Sequence, residues 1–590
     1  MMAREMFRVT VGLAGLVMGI AGCAGGGDDA SADGASRQGG TLRVIGSSDV
    51  EHLDPASVSS VGAYGLARTF ARTLFGTRAS NDFQETIPVR PDVAVRLPTR
   101  ENGDISKDRR TYTVRLRDGV QWNTSPPRPV TAPDFVRGFE RLCNPASPSS
   151  GKGYYLSTLK GMDEFCRGFG SVDAKNAGAI AAYQRDHDIE GVSAKDDRTL
   201  VFKLKRPASD FLNLLSLPFT AAAPKEYDAY VPDSAEFRQH TISNGPYQIT
   251  EYRPGLSYVL SHNPAWRAAS DPLRERHVAK IRITLGQDSP ETVQQQIEQG
   301  VADLAWDQPV PTSAIPDLRD DPRFAIRETP NNSPYLVFNL RSPNNGGALG
   351  DRAVRQALEY AIDRSALIKI VGGPSVAKPL HTVIPSGNAG YAALNHYPTP
   401  GESGDPAKCR ELLGKTRYSG LELKFPYRTN SVHKLIAQSI AENLAACGVK
   451  TELTADSGGS FYSGTLSVPA RAREGAWDIA APGWVPDWYG NNGRSIVQPL
   501  FDGRTYGQNS TNYGGYDNPQ VNALIDAALT APDAEHAAGY WQQADQKIME
   551  DAAIVPLLDR AQTLFRSSRV RNARYLPTTA AYDYTVLSLQ

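Results

Sequence analysis

The stretch from His277 to Asp307 narrows the possible folds more than any other. "HVAKIRITLG" (277–286) reads as a strand. "SPETVQQQIEQGVADLAWD" (289–307) follows as a capped helix, a stop at Gly300 and a second short strand ending at Asp307. Strand, helix, strand in this order is a βαβ unit, the building block of α/β architectures.

Other segments supply matching pieces. "GGTLRVIGSSDVEHLDPA" (39–56) begins with a strand that places Leu42 and Val44 on one face, and it breaks into a polar loop ending at Asp54-Pro55. A helix is expected from about Ala63 to Leu74, with a turn at Gly76. "RTYTVRLRDGVQW" (110–122) alternates Tyr112, Val114 and Leu116 before an Asp118-Gly119 turn. "TAPDFVRGFERLC" (131–143) opens on Thr131 as N-cap, with Phe135, Val136, Phe139 and Leu142 at helical spacing. Leu200, Phe202 and Leu204 alternate in a second strand pair over 191–207, and 243–266 forms a hairpin with Arg253-Pro254-Gly255 at its tip. "PYLVFNL" (334–340) is a clear short strand. It leads to a helix over 351–373, capped by Asp351, striped by Val354, Leu358, Ala361 and Ile362, and ended by Gly372-Gly373. Helices at 431–446, 518–529 and 534–551 alternate with or follow the strands "LELKFPY" and "AWDIAAPGW".

The N-terminus indicates export. Arg4 and Arg8 precede the apolar run "VTVGLAGLVMGI" (9–20), which is too short to span a bilayer comfortably and reads as a secretory signal rather than a buried helix. The run ends in "IAGC", which resembles the lipobox of bacterial lipoproteins. That resemblance implies a signal peptide over 1–22 and a lipidated Cys23. "AGGGDDASADGASRQGG" (24–40) is small and polar, so residues 23–40 form a tether with a reach of about 20 Å. The remaining cysteines are Cys143, Cys166, Cys409 and Cys447, an even number that suggests two disulfides in an exported chain. Three pairings are open. The nearest-neighbour pairs, Cys143–Cys166 and Cys409–Cys447, each close a loop within one region and are expected. A four-thiolate zinc site lacks any CxxC spacing, so no metal and no cofactor are expected.

Some 550 residues after the tether call for two or three domains. With 63 basic against 64 acidic residues nothing recommends a nucleic-acid partner, and no later segment is long and apolar enough to span a membrane.

"GWVPDWYG" (483–490) sets one carboxylate, Asp487, among aromatic rings where Gly483 and Pro486 prevent an ordinary helix. This segment and three others resemble the family 5 extracellular solute-binding proteins of ABC importers, the oligopeptide and dipeptide binders. The others are "YTVRLRDGVQW…PVTAPDFVRGFERL", "SNGPYQITEY" and "FNLRSPNNGGALGDRAVRQALEYAIDRSALI". The resemblance covers about residues 40–590. It implies an α/β, bilobal, periplasmic-binding-protein-like fold of type II, of the large cluster with an extra inserted domain. Lobe 1 would take 41–85, 208–333 and the return 556–590, the insertion 86–207, and lobe 2 334–555. A monomer anchored to the extracytoplasmic face by lipid would enclose a short peptide by hinge closure and pass it to a membrane permease.

The family's ammonium-binding aspartate falls on Asp487, with Trp484 walling the same pocket. Tyr154, Tyr155 and Trp488 are further candidates, equally suited to stacking on sugar rings, and Asp54 lies in a loop that lines the cleft in this family. Ordinary structural roles compete: core packing for the tyrosines and turn closure for Asp54. Asp351 and Arg355 read as helix cap and helix surface, and Asp363 and Arg364 as structural partners. The departure is at Trp488-Tyr489-Gly490, where many members continue with an acidic residue and proline; this puts pocket shape and peptide length in question. Another polar solute, such as an oligosaccharide, an opine-like compound or a metal chelate, is the second expectation. A secreted hydrolase is the third, but no HExxH or GxSxG occurs.

Overall fold

The computed structural model describes residues 39–457 and 460–590. The signal peptide, Cys23 and nearly all of the tether lie outside the described residues. Thr41–Ile45 sits inside a five-stranded sheet, flanked in parallel by Lys280–Thr284 on one side and Leu304–Ala305 on the other. The helix Pro290–Glu298 joins those two neighbours, so the βαβ unit steps over the first strand. Ser257–His262 and Tyr247–Arg253 complete the sheet as an antiparallel hairpin, turned at Gly255 with φ +70°. Leu42, Val44, Ile281 and Ile283 are fully buried while Lys280, Arg282 and Thr284 are exposed, the alternation of strands packed on one face.

A second sheet starts the other lobe. Tyr335–Phe338, buried along its whole length, lies between Ile479–Ala480 and Ile554–Pro556. Beside it a second βαβ unit runs Glu422–Arg428, helix Ser431–Ala446, Lys450–Asp456, its two strands parallel throughout. Two chain segments connect the lobes. Phe324–Arg327 pairs with Gln562–Phe565 on one side, and Tyr335–Phe338 with Ile554–Pro556 on the other. The segments 328–334 and 557–561 therefore cross together, and Asn331 ties them by donating its Nδ2 to the Arg560 carbonyl at 2.6 Å.

The region 86–207 contributes a three-stranded sheet, with Thr199–Lys203 between Thr111–Arg115 and Val192–Asp196. Its core residues Tyr112, Val114, Phe139 and Phe202 run continuously into the first lobe's core.

Three expectations are corrected. The first helix spans Val61–Phe70 and ends earlier than Leu74, because Ala71 turns extended and Arg72 is drawn into buried pairs with Asp92 and Asp271. The helix expected over 351–373 is two, Arg352–Glu359 and Arg364–Ile370. Asp363 starts the second by accepting from the Ala366 N–H, a cap that competes with continuing the first. Arg355 is buried rather than on the helix surface, where its guanidinium donates to the carbonyls of Leu349, Asp551 and Ala552 and holds the end of the helix Ala534–Glu550.

Cys143 is joined to Cys166 and Cys409 to Cys447, across 23 and 38 residues. Loops of that size constrain the unfolded chain by about 3 to 4 kcal/mol each. Cys409→Ser with Cys447→Ser is therefore expected to lower the unfolding free energy by roughly that amount, read by urea titration under oxidising conditions. An unchanged midpoint would show that the second bridge does not contribute to stability.

Candidate functional site

A cavity of about 470 Å³ lies between the lobes, within the range of small-molecule sites. Its walls come from the carboxyl ends of strands in both lobes: Ser47 and Ser48 after the first strand, Trp306 and Asp307 after Leu304–Ala305, and Arg428 at the end of Glu422–Arg428. Ligands of open α/β sheets bind at such ends because the loops that follow are free to vary.

Asp487 lines this cavity. Its loop leaves the strand Ile479–Ala480 and carries it across to the first lobe. There Tyr64, on the helix Val61–Phe70, donates to Oδ1 at 3.0 Å, and Tyr154, on the helix Lys152–Thr158, donates to Oδ2 at 2.6 Å. Burial raises the Asp487 carboxyl to about 6, and the two hydroxyls oppose that shift without cancelling it. Among the described residues it has no ion-pair partner.

Trp484 lines the cavity and is held by its own backbone pairing with Asn332 and by its indole N–H on the Ser495 carbonyl at 2.8 Å. Gly483 has a clear reason to be glycine: a Cβ there would stand 2.2 Å from Ser333 Oγ. Tyr154 lines the cavity as well.

Three sequence candidates are placed elsewhere. Tyr155 turns into the core, with its ring against Phe139 and its hydroxyl on the Leu214 carbonyl, as the opposite side of the same helix requires. Asp54 is buried against Arg141 beneath the rings of Tyr227 and Phe237, and its other oxygen accepts from the Ala56 N–H in the turn at Pro55. Trp488 is 2 % exposed and packs edge-on against Tyr154, centroids 5.4 Å apart, within the first lobe's core. It faces a small chamber of about 70 Å³ behind Asp487, away from the main cavity.

The remaining charged residues of the cavity were not singled out from the sequence. Asp307 accepts from the N–H groups of Ser47 and Ser48 at 2.7 and 2.9 Å, and burial raises it above the usual carboxylate range. Glu51 accepts from the N–H groups of Ser59 and Ser60 at 2.8 and 2.7 Å. Asp49 takes Tyr252, Tyr258 and the Gly255 N–H. His52 pairs with Asp233 at 2.6 Å, which lifts its pKa against the effect of burial. Arg428 and Arg560 complete the set. The position of Arg428 at a strand's carboxyl end, just before a helix, was the available signal. Among the described residues no cluster of His, Cys, Asp or Glu is suited to hold a metal ion, and no helix is long and apolar enough to cross a membrane.

Two α/β lobes on crossing segments around a buried polar cavity define a solute receptor. Residues 89–506 match the family described as Bacterial extracellular solute-binding proteins, family 5 Middle, and the chain belongs to that family, the binding proteins of ABC importers, which are not enzymes. It is 26% identical over 474 residues to the probable deoxycholate-binding periplasmic protein YgiS of Escherichia coli (strain K12), covering 78% of each chain. It is 26% identical over 527 residues to the periplasmic oligopeptide-binding protein OppA of Salmonella typhimurium, covering 88% of this chain and 86% of that one. Among solved structures, the clavulanic acid biosynthesis oligopeptide binding protein 2 superposes with a TM-score of 0.76 at 26% identity, over 94% of this chain and 96% of that one.

Proposed function

We propose that this protein is a lipid-anchored, monomeric receptor that captures short peptides between its lobes and delivers them to a membrane permease. The observation that carries the reading is Asp487, a half-buried carboxylate in the cavity between the lobes whose side-chain partners among the described residues are two neutral hydroxyls. An enclosed carboxylate is stabilised most by an opposite charge in contact, and a peptide's α-ammonium supplies one. The same cavity supplies the complement. Arg428 and Arg560 also line it, and the helix Ser431–Ala446 begins beside Arg428 with its positive end toward the cavity, so a carboxylate is favoured there. Arg428 donates to the Ala481 carbonyl, six residues before Asp487 along one chain segment. The two anchor points are therefore no more than about 20 Å apart, which limits an extended ligand to roughly six residues.

The test is ligand identity and charge. Mass spectrometry of what co-purifies should give short peptides. Calorimetry with a free and an N-acetylated peptide of the same sequence should show the acetylated one binding at least about thirtyfold more weakly, the loss of one buried charge pair. Equal affinities would sink the peptide reading. They would favour a different ligand, an amphipathic carboxylate, for which the apolar residues of the cavity (Val50, Val61, Phe219, Val293) and the two arginines are also suited.

Anchoring is tested separately. Cys23→Ser should give unprocessed or released protein, since acylation and cleavage both require that thiol. A mature-sized species still on the membrane would overturn the lipobox reading.

A further inference from the structure

The cavity's carboxylates and guanidiniums differ in how they are satisfied. Asp49, Glu51, Asp307 and Asp487 all accept from hydroxyls or backbone N–H groups. Arg428 and Arg560 have no carboxylate partner among the described residues. Arg428 lies over the rings of Phe461 and Tyr462, 5.6 Å from each centroid. Its Nη2 reaches the Ala481 carbonyl and His433 Nδ1, both at 3.3 Å, and its buried Nε has no acceptor. Arg560, on the crossing segment, makes no side-chain hydrogen bond or ion pair among the described residues. Burial and the repulsion of Arg428 bring its guanidinium down to about 10, and no carboxylate acts on it. His433 adds no charge, because burial and both guanidiniums hold it neutral.

Two like charges thus stand together at the edge of an enclosed space, beside the positive end of a sixteen-residue helix. Arginine does not escape by losing its proton at neutral pH. One carboxylate shared between the two leaves a guanidinium of this corner without an anionic partner of its own when the lobes close. A second carboxylate gives each guanidinium one, and each planar group is shaped to take it in a bidentate pair.

We propose that this corner binds a dicarboxylate end: one carboxylate to Arg428 and one to Arg560, so that the preferred ligands are peptides whose last residue is acidic. The inference rests on the peptide reading above, and Arg560 is its specificity-determining residue. The terminal carboxylate and the side-chain carboxylate of a C-terminal glutamate are separated by three carbons, the spacing of glutarate.

Calorimetric titration of the full chain with a tripeptide ending in Glu, its counterpart ending in Gln, and the C-terminal amide of the Glu peptide distinguishes the two carboxylates. The Glu peptide should bind at least tenfold more tightly than the Gln peptide, and amidation should cost at least as much. In Arg560→Gln the Glu and Gln peptides should bind within threefold of each other, while the requirement for a free terminal carboxylate persists. If that variant does not fold, the wild-type comparison of Glu with Gln decides alone. Equal binding of the two by the wild type overturns the proposal, whether or not amidation weakens both. If no peptide binds, the peptide reading has failed, and glutarate tests the corner by itself. A rise in melting temperature with glutarate in the wild type that is lost in Arg560→Gln sustains a dicarboxylate site, and no rise in the wild type overturns it.

Discussion

Asp487→Asn is expected to weaken peptide binding by about 2 to 5 kcal/mol while leaving the fold intact, the range found when one member of a buried, hydrogen-bonded charge pair is neutralised. The fold should survive because Tyr64 and Tyr154 are neutral partners and the amide keeps an oxygen able to accept from one of them. N-acetylation of the peptide should cost the wild type a similar amount and the variant much less, since each change removes one half of the same pair. The pH dependence has a definite sign. Burial raises the Asp487 carboxyl to about 6, so in the ligand-free chain it takes up a proton as pH falls through that value. The protonated form cannot pair with an ammonium, so affinity is full above this range and is lost below it. A single proton with a midpoint near 6 predicts about a tenfold fall between pH 7 and 5, with the variant flat over the same interval. A wild-type profile as flat as the variant's would remove Asp487 from the ligand's charge pair.

The second large effect is expected at Arg494. It projects from the helix Gly493–Phe501, whose Ile496, Val497 and Leu500 belong to the second lobe's core; its Nε stays on Gln498 of the same helix at 2.7 Å, while its other partners are in the first lobe. Nη1 meets Asp210 at 3.1 Å. Nη2 donates to the Tyr154 carbonyl at 2.9 Å, Ser157 Oγ at 2.9 Å and Thr158 Oγ1 at 2.8 Å. Arg494→Leu removes these and leaves Asp210 buried without its cation, a loss of roughly 3 to 5 kcal/mol for buried pairs. The loss falls on the closed arrangement, because separated lobes let water reach Asp210. Ligand affinity should therefore drop by about two to nearly four orders of magnitude, and more ligand should be needed to compact the chain in solution scattering. Adding Asp210→Asn should recover part of the loss. If Arg494→Leu binds and compacts like the wild type, this pair does not hold the lobes together.

Where the sequence was informative, the signal was local. The strand Tyr335–Phe338 and the helix Ser431–Ala446 follow directly from their hydrophobic spacing, and the four motif segments in order pointed to the bilobal α/β fold. The break between Glu359 and Arg364 was hidden because Ala361 and Ile362 continue the apolar stripe while the Asp363 side chain recaps the chain. Asp487 was legible as a lone charge among rings, but not which rings would donate to it. Tyr64 is 423 positions away, and nothing in its surroundings marks it. Tyr154 and Tyr155 are adjacent, and only the helix's facing decides that the first reaches the cavity and the second the core. Arg428 and Arg560 were missed for the same reason, since an arginine's meaning depends on whether the fold brings a carboxylate to it.

Trp488 belongs by sequence to the segment that builds the second lobe, yet its indole is a structural part of the first, lodged against Tyr154 with its N–H satisfied inside its own loop. The receptor's two bodies therefore interlock as well as meet. Separating them draws a tryptophan out of a hydrophobic seat and takes with it the ring that backs Tyr154, one of the two donors to Asp487. Opening the cavity and withdrawing the support behind Tyr154 are then a single movement.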